Sequence, residues 1–165
     1  MHKEKKMVSA SLDMLEESLI KKLQVLDSIE KENLKQKELL SNPDEADLGE
    51  LDKIVDVKGE LIEQLLILDE GFQSLFDRVK GEVGENKDKY ADQIRRMQKL
   101  VHDLTDKSAS IEAQERRNKA LADKYFSLER EKMASGKKSA AVAFNYYQTM
   151  NKFKDIPPQF MDKKN

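Results

Sequence analysis

Apolar residues recur at helical spacing along three long stretches of the chain. In the first, from about Met7 to Leu40, a heptad pattern puts apolar side chains at six of nine seam positions, which is typical of a helix packed on a partner along one face. The nine positions are Leu12, Leu15, Leu19, Lys22, Leu26, Ile29, Asn33, Gln36 and Leu40. Because the seam turns polar at Asn33 and Gln36, we expect looser packing at that end.

A turn-rich segment separates the first helix from the second. Two helix starts are compatible with the residues that follow. In one, Asn42 is the N-cap, Pro43 the first helical residue and Glu45 the third; in the other, Asp47 caps a helix with Glu50 in its first turn. Both use side-chain oxygens to accept hydrogen bonds from the free amides of a helix start.

The second helix carries the clearest periodic signal in the chain. Eight of its nine heptad positions are apolar: Leu51, Ile54, Lys58, Leu61, Leu65, Leu68, Phe72, Leu75 and Val79. The glycines of the segment Gly81–Gly84 predict its end. Gly59 and Gly71 lie inside it, where glycine weakens a helix, and we expect Gly71 to be a site of close approach by a neighbouring helix.

The third stretch, from about residue 86 to residue 134, has a discontinuous apolar pattern. It is periodic from Tyr90 to Ile111 and continues, with a change of phase, through Leu121, Tyr125 and Leu128. Between Ile111 and Leu121 the face that would be buried is almost wholly polar. The pattern therefore predicts a gap, where the helix either continues into solvent beyond its partners or bends.

These elements predict an all-α fold. Since short links favour antiparallel neighbours, residues 1–134 are predicted to form an elongated antiparallel three-helix coiled-coil bundle. Residues 135–165 are predicted to be a flexible tail that contains five of the ten aromatic residues of the chain. A short amphipathic helix is expected within this tail, because five residues share one helical face: Ala140, Ala143, Phe144, Tyr147 and Met150.

Composition narrows the function classes. Charged and apolar residues each make up 38% of the 165 residues. This apolar fraction is enough for narrow interfaces between helices but hardly for a large globular core. The absence of cysteine excludes disulfides, thiol catalysis and thiolate metal sites, and the charged N-terminus does not resemble a signal peptide. A net charge of −2 gives no electrostatic argument for nucleic acid. We expect a cytoplasmic, non-enzymatic protein without cofactors or membrane insertion.

The second half of the third helix and the tail are the candidate partner-binding region. An apolar run that lacks a seam partner must be covered, either by the tail folding back or by another protein. Anchoring aromatic side chains in a tail are typical of a recognition segment. The candidate residues are Leu121, Tyr125, Phe126, Leu128, Phe144, Tyr146, Tyr147 and Met150. We expect this end of the third helix to be left bare by the rest of the chain.

Several segments resemble one family. The Leu-rich first helix is followed by a turn with small and acidic residues, from Asn42 to Leu51, and by the run Lys-x-x-Leu-Ile-x-x-Leu-x-x-Leu-Asp from Lys58 to Asp69. In these three segments the chain is similar to the FlgN-type flagellar export chaperones. The third long helix and the tail containing Tyr146 and Tyr147 also resemble that family. The resemblance spans most of the chain.

The resemblance implies a cytoplasmic chaperone for type III flagellar export. Such proteins bind helical terminal segments of hook–filament junction proteins and deliver them to the cytoplasmic domain of the membrane export gate. By position, Leu121, Tyr125, Phe126 and Leu128 are then substrate-groove candidates, and either Tyr146 or Tyr147 is the candidate for docking to the gate. The alternative is a structural coiled-coil protein that self-associates through the same seams, and a homodimer is compatible with both.

Overall fold

The computed structural model describes residues 2–84, 87–132 and 137–154. These residues form α1 (His2–Ser41), α2 (Leu48–Val83), α3 (Ala91–Lys132) and α4 (Lys137–Lys154), with a short 3-10 turn, Lys87–Tyr90, before α3. Within these ranges there is no strand, so the predicted all-α class is confirmed. The predicted three-helix bundle is not confirmed, because these ranges contain four helices; the fourth, α4, is the short helix that was expected within the tail. The remainder of that tail, residues 135–136 and 155–165, lies outside the described residues.

The direction of each long helix follows from its cross-helix contacts. Lys22 of α1 pairs with Asp69 of α2, whereas Gln36 accepts a hydrogen bond from Lys58, nearer the start of α2. From one contact to the next, the residue numbers rise along α1 and fall along α2, so these two helices are antiparallel.

Contacts between α1 and α3 run in the opposite sense. Arg96 Nε donates to Glu16 at 2.9 Å near the start of both helices, and Lys107 Nζ lies 2.7 Å from Glu30 further along both. The two helices are therefore parallel, and α1, about 60 Å long at 1.5 Å per residue, packs on both α2 and α3.

The predicted seam of α1 is the buried face of that helix. All nine seam positions are at most 3% exposed, including the polar residues Lys22, Asn33 and Gln36. Asn33 and Gln36, where looser packing was expected, are both fully buried. Heptad spacing decided which positions are buried, even where the residue is polar.

The start of α2 follows the second of the two predicted alternatives. Asp47 has an extended backbone and its side chain accepts a hydrogen bond from the amide of Gly49 at 2.9 Å. Its carbonyl accepts the amide of Leu51 at 3.1 Å, so Asp47 is the N-cap. Residues 42–46 belong to the connection, where the Glu45 amide donates to the Asn42 carbonyl.

The close helix approach predicted at Gly71 is wrong. A Cβ atom built at Gly71 would have no other group within 4 Å, and the residue is exposed. The other interior glycine, Gly59, faces α4: its Cβ position lies 4.0 Å from the Thr149 hydroxyl oxygen.

The predicted gap and change of phase in α3 are also wrong. The helix is continuous, and its heptad register passes through Ile111, Glu115, Asn118, Ala122 and Tyr125 without interruption, all of them buried. The polar residues at 115 and 118 take seam positions because polar groups of the neighbouring helices meet them there. The face that looked solvated is part of the interior.

A band of polar side chains separates two apolar clusters. The larger cluster extends from Leu12 to Ile111 along α1, α2 and α3. The smaller, which we call the end cluster, consists of Leu40, Leu51, Val55, Ala122, Tyr125, Phe126, Val142, Tyr146 and Met150. The band between them, which we call the polar layer, consists of Asn33, Gln36, Lys58, Glu115 and Asn118. The end cluster thus draws on all four helices.

Candidate partner-binding site

The end of α3 that was expected to be bare is covered by α4. Tyr125 is 2% exposed and Phe126 4% exposed, while Leu121 and Leu128 are half-buried. The expectation of an uncovered seam is therefore corrected: of the two alternatives, the tail folds back over it. The apolar end of the bundle is closed by a separate helix that follows α3.

The buried face of α4 differs from the predicted face. Its buried residues are Val142, Tyr146, Thr149 and Met150, spaced as one helical stripe. Phe144, which was assigned to the apolar face, is 64% exposed, and Tyr147 is half-buried. Tyr146 and Met150 therefore join Tyr125 and Phe126 in the end cluster, whereas Phe144 lies outside it.

Polar contacts hold both edges of α4. On the α2 side, the Asn145 amide donates to Asp52 at 3.3 Å and to Asp56 at 3.1 Å. Further along, Lys152 Nζ lies 3.1 Å from Glu63. These contacts make α4 parallel to α2.

The opposite edge of α4 contacts α3. The Tyr147 hydroxyl donates a hydrogen bond to the Asp123 carboxylate. We call the space between α2 and α3 that α4 occupies the α4 groove.

The polar layer contains a buried ion pair beneath α4. Lys58 Nζ lies 2.6 Å from Glu115 Oε1, and both side chains are less than 5% exposed. Lys58 also donates to Gln36 Oε1 at 3.1 Å, which ties α1, α2 and α3 together at one level. Burial lowers the pKa of Lys58, and the Glu115 carboxylate opposes that shift. Removing either partner would leave the other charge buried.

A second set of polar contacts joins α1 to α3 at the same level. The Asn118 amide donates to the Asn33 carbonyl at 2.9 Å, and the Asn33 amide donates to Gln114 Oε1 at 3.0 Å. Because buried polar groups are satisfied at only some alignments of two helices, these bonds fix the register of α3 on α1.

Tyr146 connects α4 to the polar layer. Its ring centroid lies 5.9 Å from Lys58 Nζ, within range of a cation–π interaction. Burial raises the pKa of the Tyr146 hydroxyl, and the nearby Glu115 carboxylate raises it further, while Gln36 lowers it. Burial and the hydrogen bond to Asp123 raise the pKa of Tyr147 to about 12.

These two tyrosines predict a loss of stability at alkaline pH. Unfolded tyrosine ionises near pH 10, whereas in the folded chain the pKa of Tyr147 is about 12 and that of Tyr146 is also raised. Their contribution is therefore fully present below about pH 10 and is lost as the pH rises towards 12. Urea unfolding across this range should show a falling free energy of unfolding. Lys58 acts in the opposite direction. Because its pKa is lowered in the folded chain, its effect on the free energy of unfolding is an increase with pH, which ends near the unfolded pKa of 10.5.

The matched control replaces both tyrosines by phenylalanine. The double variant Tyr146→Phe/Tyr147→Phe should show a flatter profile above pH 10, since it removes both raised pKa values. An unchanged profile would contradict the assignment of the alkaline loss to α4.

Another buried ion pair lies in the larger cluster. Lys22 pairs with Asp69, and its ammonium lies 4.7 Å from the centroid of the Phe72 ring. Burial lowers the pKa of Lys22, and Asp69 opposes the shift. The heptad pattern had placed Lys22 at a seam position, but nothing in the sequence identified its partner.

Apolar side chains also remain exposed on the surface formed by α1 and α2. Leu34, Val57 and Ile67 are all exposed. Leu34, Val57 and Leu61 line one shallow depression between these helices, and Leu61 and Ile67 line the next. This surface lies apart from the α4 groove.

Comparisons with known proteins do not place the chain in a family. No family model, curated protein or solved structure matches it. Across residues 2–84, 87–132 and 137–154, no group of three or more metal-ligating side chains is suited to hold an ion. In the same part of the chain, no helix has the length and apolar character needed to span a membrane.

Proposed function

We propose that the chain is a cytoplasmic type III flagellar export chaperone of the FlgN type. It binds helical terminal segments of hook–filament junction proteins and delivers them to the cytoplasmic domain of the export gate. The resemblance of its three long segments to that family supports this proposal. The observation that carries it is the end cluster, an apolar surface closed by a separate helix, α4.

The α4 groove is the proposed substrate site. A substrate helix takes the place of α4 and packs on Tyr125 and Phe126, in the manner of helix-in-groove recognition. Release of α4 uncovers the buried pair formed by Lys58 and Glu115, and hydration of these charges offsets part of the lost apolar contact. The release of α4 therefore costs less free energy than the opening of a purely apolar core would. The proposed function involves no catalytic step.

The outer side of α4 is the proposed contact for the export gate. While α4 is docked, Tyr147 and Phe144 are accessible there, whereas Tyr146 is buried in the end cluster. Of the two tyrosines, Tyr147 is therefore our candidate for gate docking.

Binding to junction-protein segments tests the proposal. Isothermal titration of the full chain with purified terminal segments of hook–filament junction proteins should show binding. Leu121→Ala, at the edge of the end cluster, should weaken it by about tenfold, which is typical of an interface anchor. Phe144→Ala is the matched control and should bind the segments as the parent chain does. Absence of binding by the parent chain and by both variants would overturn the proposal.

The exposed apolar surface of α1 and α2 favours a second candidate, a self-associating structural protein. Val57 and Ile67 are the side chains that would be covered. Sedimentation equilibrium distinguishes the two functions. A monomer that binds junction segments supports the chaperone, and a stable oligomer without affinity for them supports the structural role.

A further inference from the structure

The way in which α4 is held shows what kind of helix its groove accepts. Val142, Tyr146 and Met150 lie four residues apart and insert into the end cluster. Thr149 faces Gly59, its hydroxyl oxygen 4.0 Å from the Cβ position of that glycine. The Thr149 hydroxyl donates to the Asn145 carbonyl of its own helix at 2.9 Å. The groove thus takes an amphipathic helix with large apolar residues at intervals of four and a small residue opposite Gly59.

The α2 edge of the groove is acidic. Asp52, Asp56 and Glu63 follow one another along it and all contact α4. Among the α4 side chains that the structure describes, Lys152 is the cation on this edge, and it pairs with Glu63. The other two carboxylates share one neutral amide, that of Asn145, so the charge of α4 matches the groove incompletely.

A cation in place of Asn145 would improve this match. A guanidinium would place a positive charge opposite both carboxylates, and its several N–H groups can bridge them. The position equivalent to Tyr146 favours an aromatic ring, because Lys58 Nζ lies beneath it. Α partner helix with these features would compete with α4.

We infer, building on the proposed function, that the α4 groove is a receptor for a cationic amphipathic helix of a partner protein. The partner helix has large apolar residues at i, i+4 and i+8, and the residue at i+4 is aromatic. It has a small residue at i+7, and arginine or lysine at i+3 and i+10. The helix lies parallel to α2 and displaces α4, which holds the groove with an uncharged residue at i+3.

Synthetic peptides test the charge requirement directly. The probes are the peptide of residues 137–154 and its Asn145→Arg and Asn145→Glu forms, added to the full chain carrying Tyr146→Ala, which weakens the hold of its own α4. Fluorescence anisotropy should show binding about fivefold tighter for the Arg form and about fivefold weaker for the Glu form, as expected for a favourably placed ion pair. Raising the salt concentration should reduce both differences.

The matched control removes the acidic edge. Asp52→Asn/Asp56→Asn in the same chain should abolish the preference among the three peptides. Equal affinity of the three peptides, a preference that survives this control, or no binding by any peptide would overturn the inference. Discrimination among peptides without binding of junction segments would instead overturn the export assignment alone.

A measurement within the chain does not depend on the Tyr146→Ala variant. Asn145→Arg in the otherwise unchanged chain should slow hydrogen exchange of the α4 amides by about fivefold, and Asn145→Glu should speed it by a similar factor. Identical exchange in the two variants would contradict an acidic groove that selects cations.

Discussion

Replacement of Glu115 by alanine should lower the free energy of unfolding by about 3–5 kcal/mol. The reason is that Lys58 would remain buried while its carboxylate partner, 2.6 Å away, is lost. Gln36 still accepts one hydrogen bond from the ammonium, but a neutral amide cannot replace the lost charge. Urea unfolding at neutral pH, followed by circular dichroism, measures the change.

The matched control replaces both members of the pair by apolar residues. Lys58→Met/Glu115→Leu should recover most of the lost stability, because exchange of a buried ion pair for packed apolar side chains is often neutral or stabilising. If Glu115→Ala costs less than about 1 kcal/mol, or if the double variant is as unstable as the single one, the buried pair does not have the role assigned to it.

Two phenylalanine-to-alanine changes should differ strongly in their effect on stability. Phe126→Ala should cost about 3–5 kcal/mol, because it removes a large side chain from the end cluster and leaves a cavity. Phe144→Ala should stay within about 0.5 kcal/mol, since that ring is 64% exposed. Both free energies come from the same urea experiment.

This comparison decides between two faces of α4. The sequence pattern placed Phe144 on one face with Met150, whereas the structure buries Tyr146 beside Met150 and leaves Phe144 exposed. A loss of more than 2 kcal/mol for Phe144→Ala, or a negligible loss for Phe126→Ala, would mean that α4 docks with a different face or that it does not close the end cluster.

The seam of α1 could be predicted because heptad spacing is a property of one helix alone. Leu12 to Leu40 kept the same spacing through Lys22, Asn33 and Gln36, and every one of these positions is buried. The start of α2 was also within reach, since the Asp47 cap is a local interaction. For the α1 seam and the start of α2, the local sequence thus led to a correct prediction or to two alternatives that included the observed one.

The polar layer could not be predicted in the same way, because its residues are buried only as a group. The polar stretch that contains Glu115 was predicted to be a gap in the seam, yet Lys58 of α2 and Gln36 of α1 meet at its level. One signal was available: extending the α3 heptad past Ile111 reaches 115, 118, 122 and 125 without a change of phase. That spacing, rather than residue polarity, indicated the buried face.

The position of α4 required the other helices to be in place. A short helix was expected in the tail, but its sequence allows more than one apolar face. The shape of the groove selects Tyr146 above Lys58 and Thr149 beside Gly59. The candidate residues Leu121, Tyr125, Phe126, Tyr146 and Met150 are thus brought together by the fold, with α4 as their cover.

Hydrogen exchange of α4 in the free chain tests most directly whether α4 is docked on the end cluster. Because most of the stability of a helix in a protein comes from tertiary packing, the amides of an undocked α4, 18 residues long, would exchange nearly as fast as those of an unfolded peptide. We expect amides 142–150 to exchange at least about tenfold more slowly than those of an unfolded peptide. Tyr146→Ala should remove most of this protection. Unprotected amides in the parent chain, or protection that Tyr146→Ala leaves intact, would contradict the docking of α4 on the end cluster.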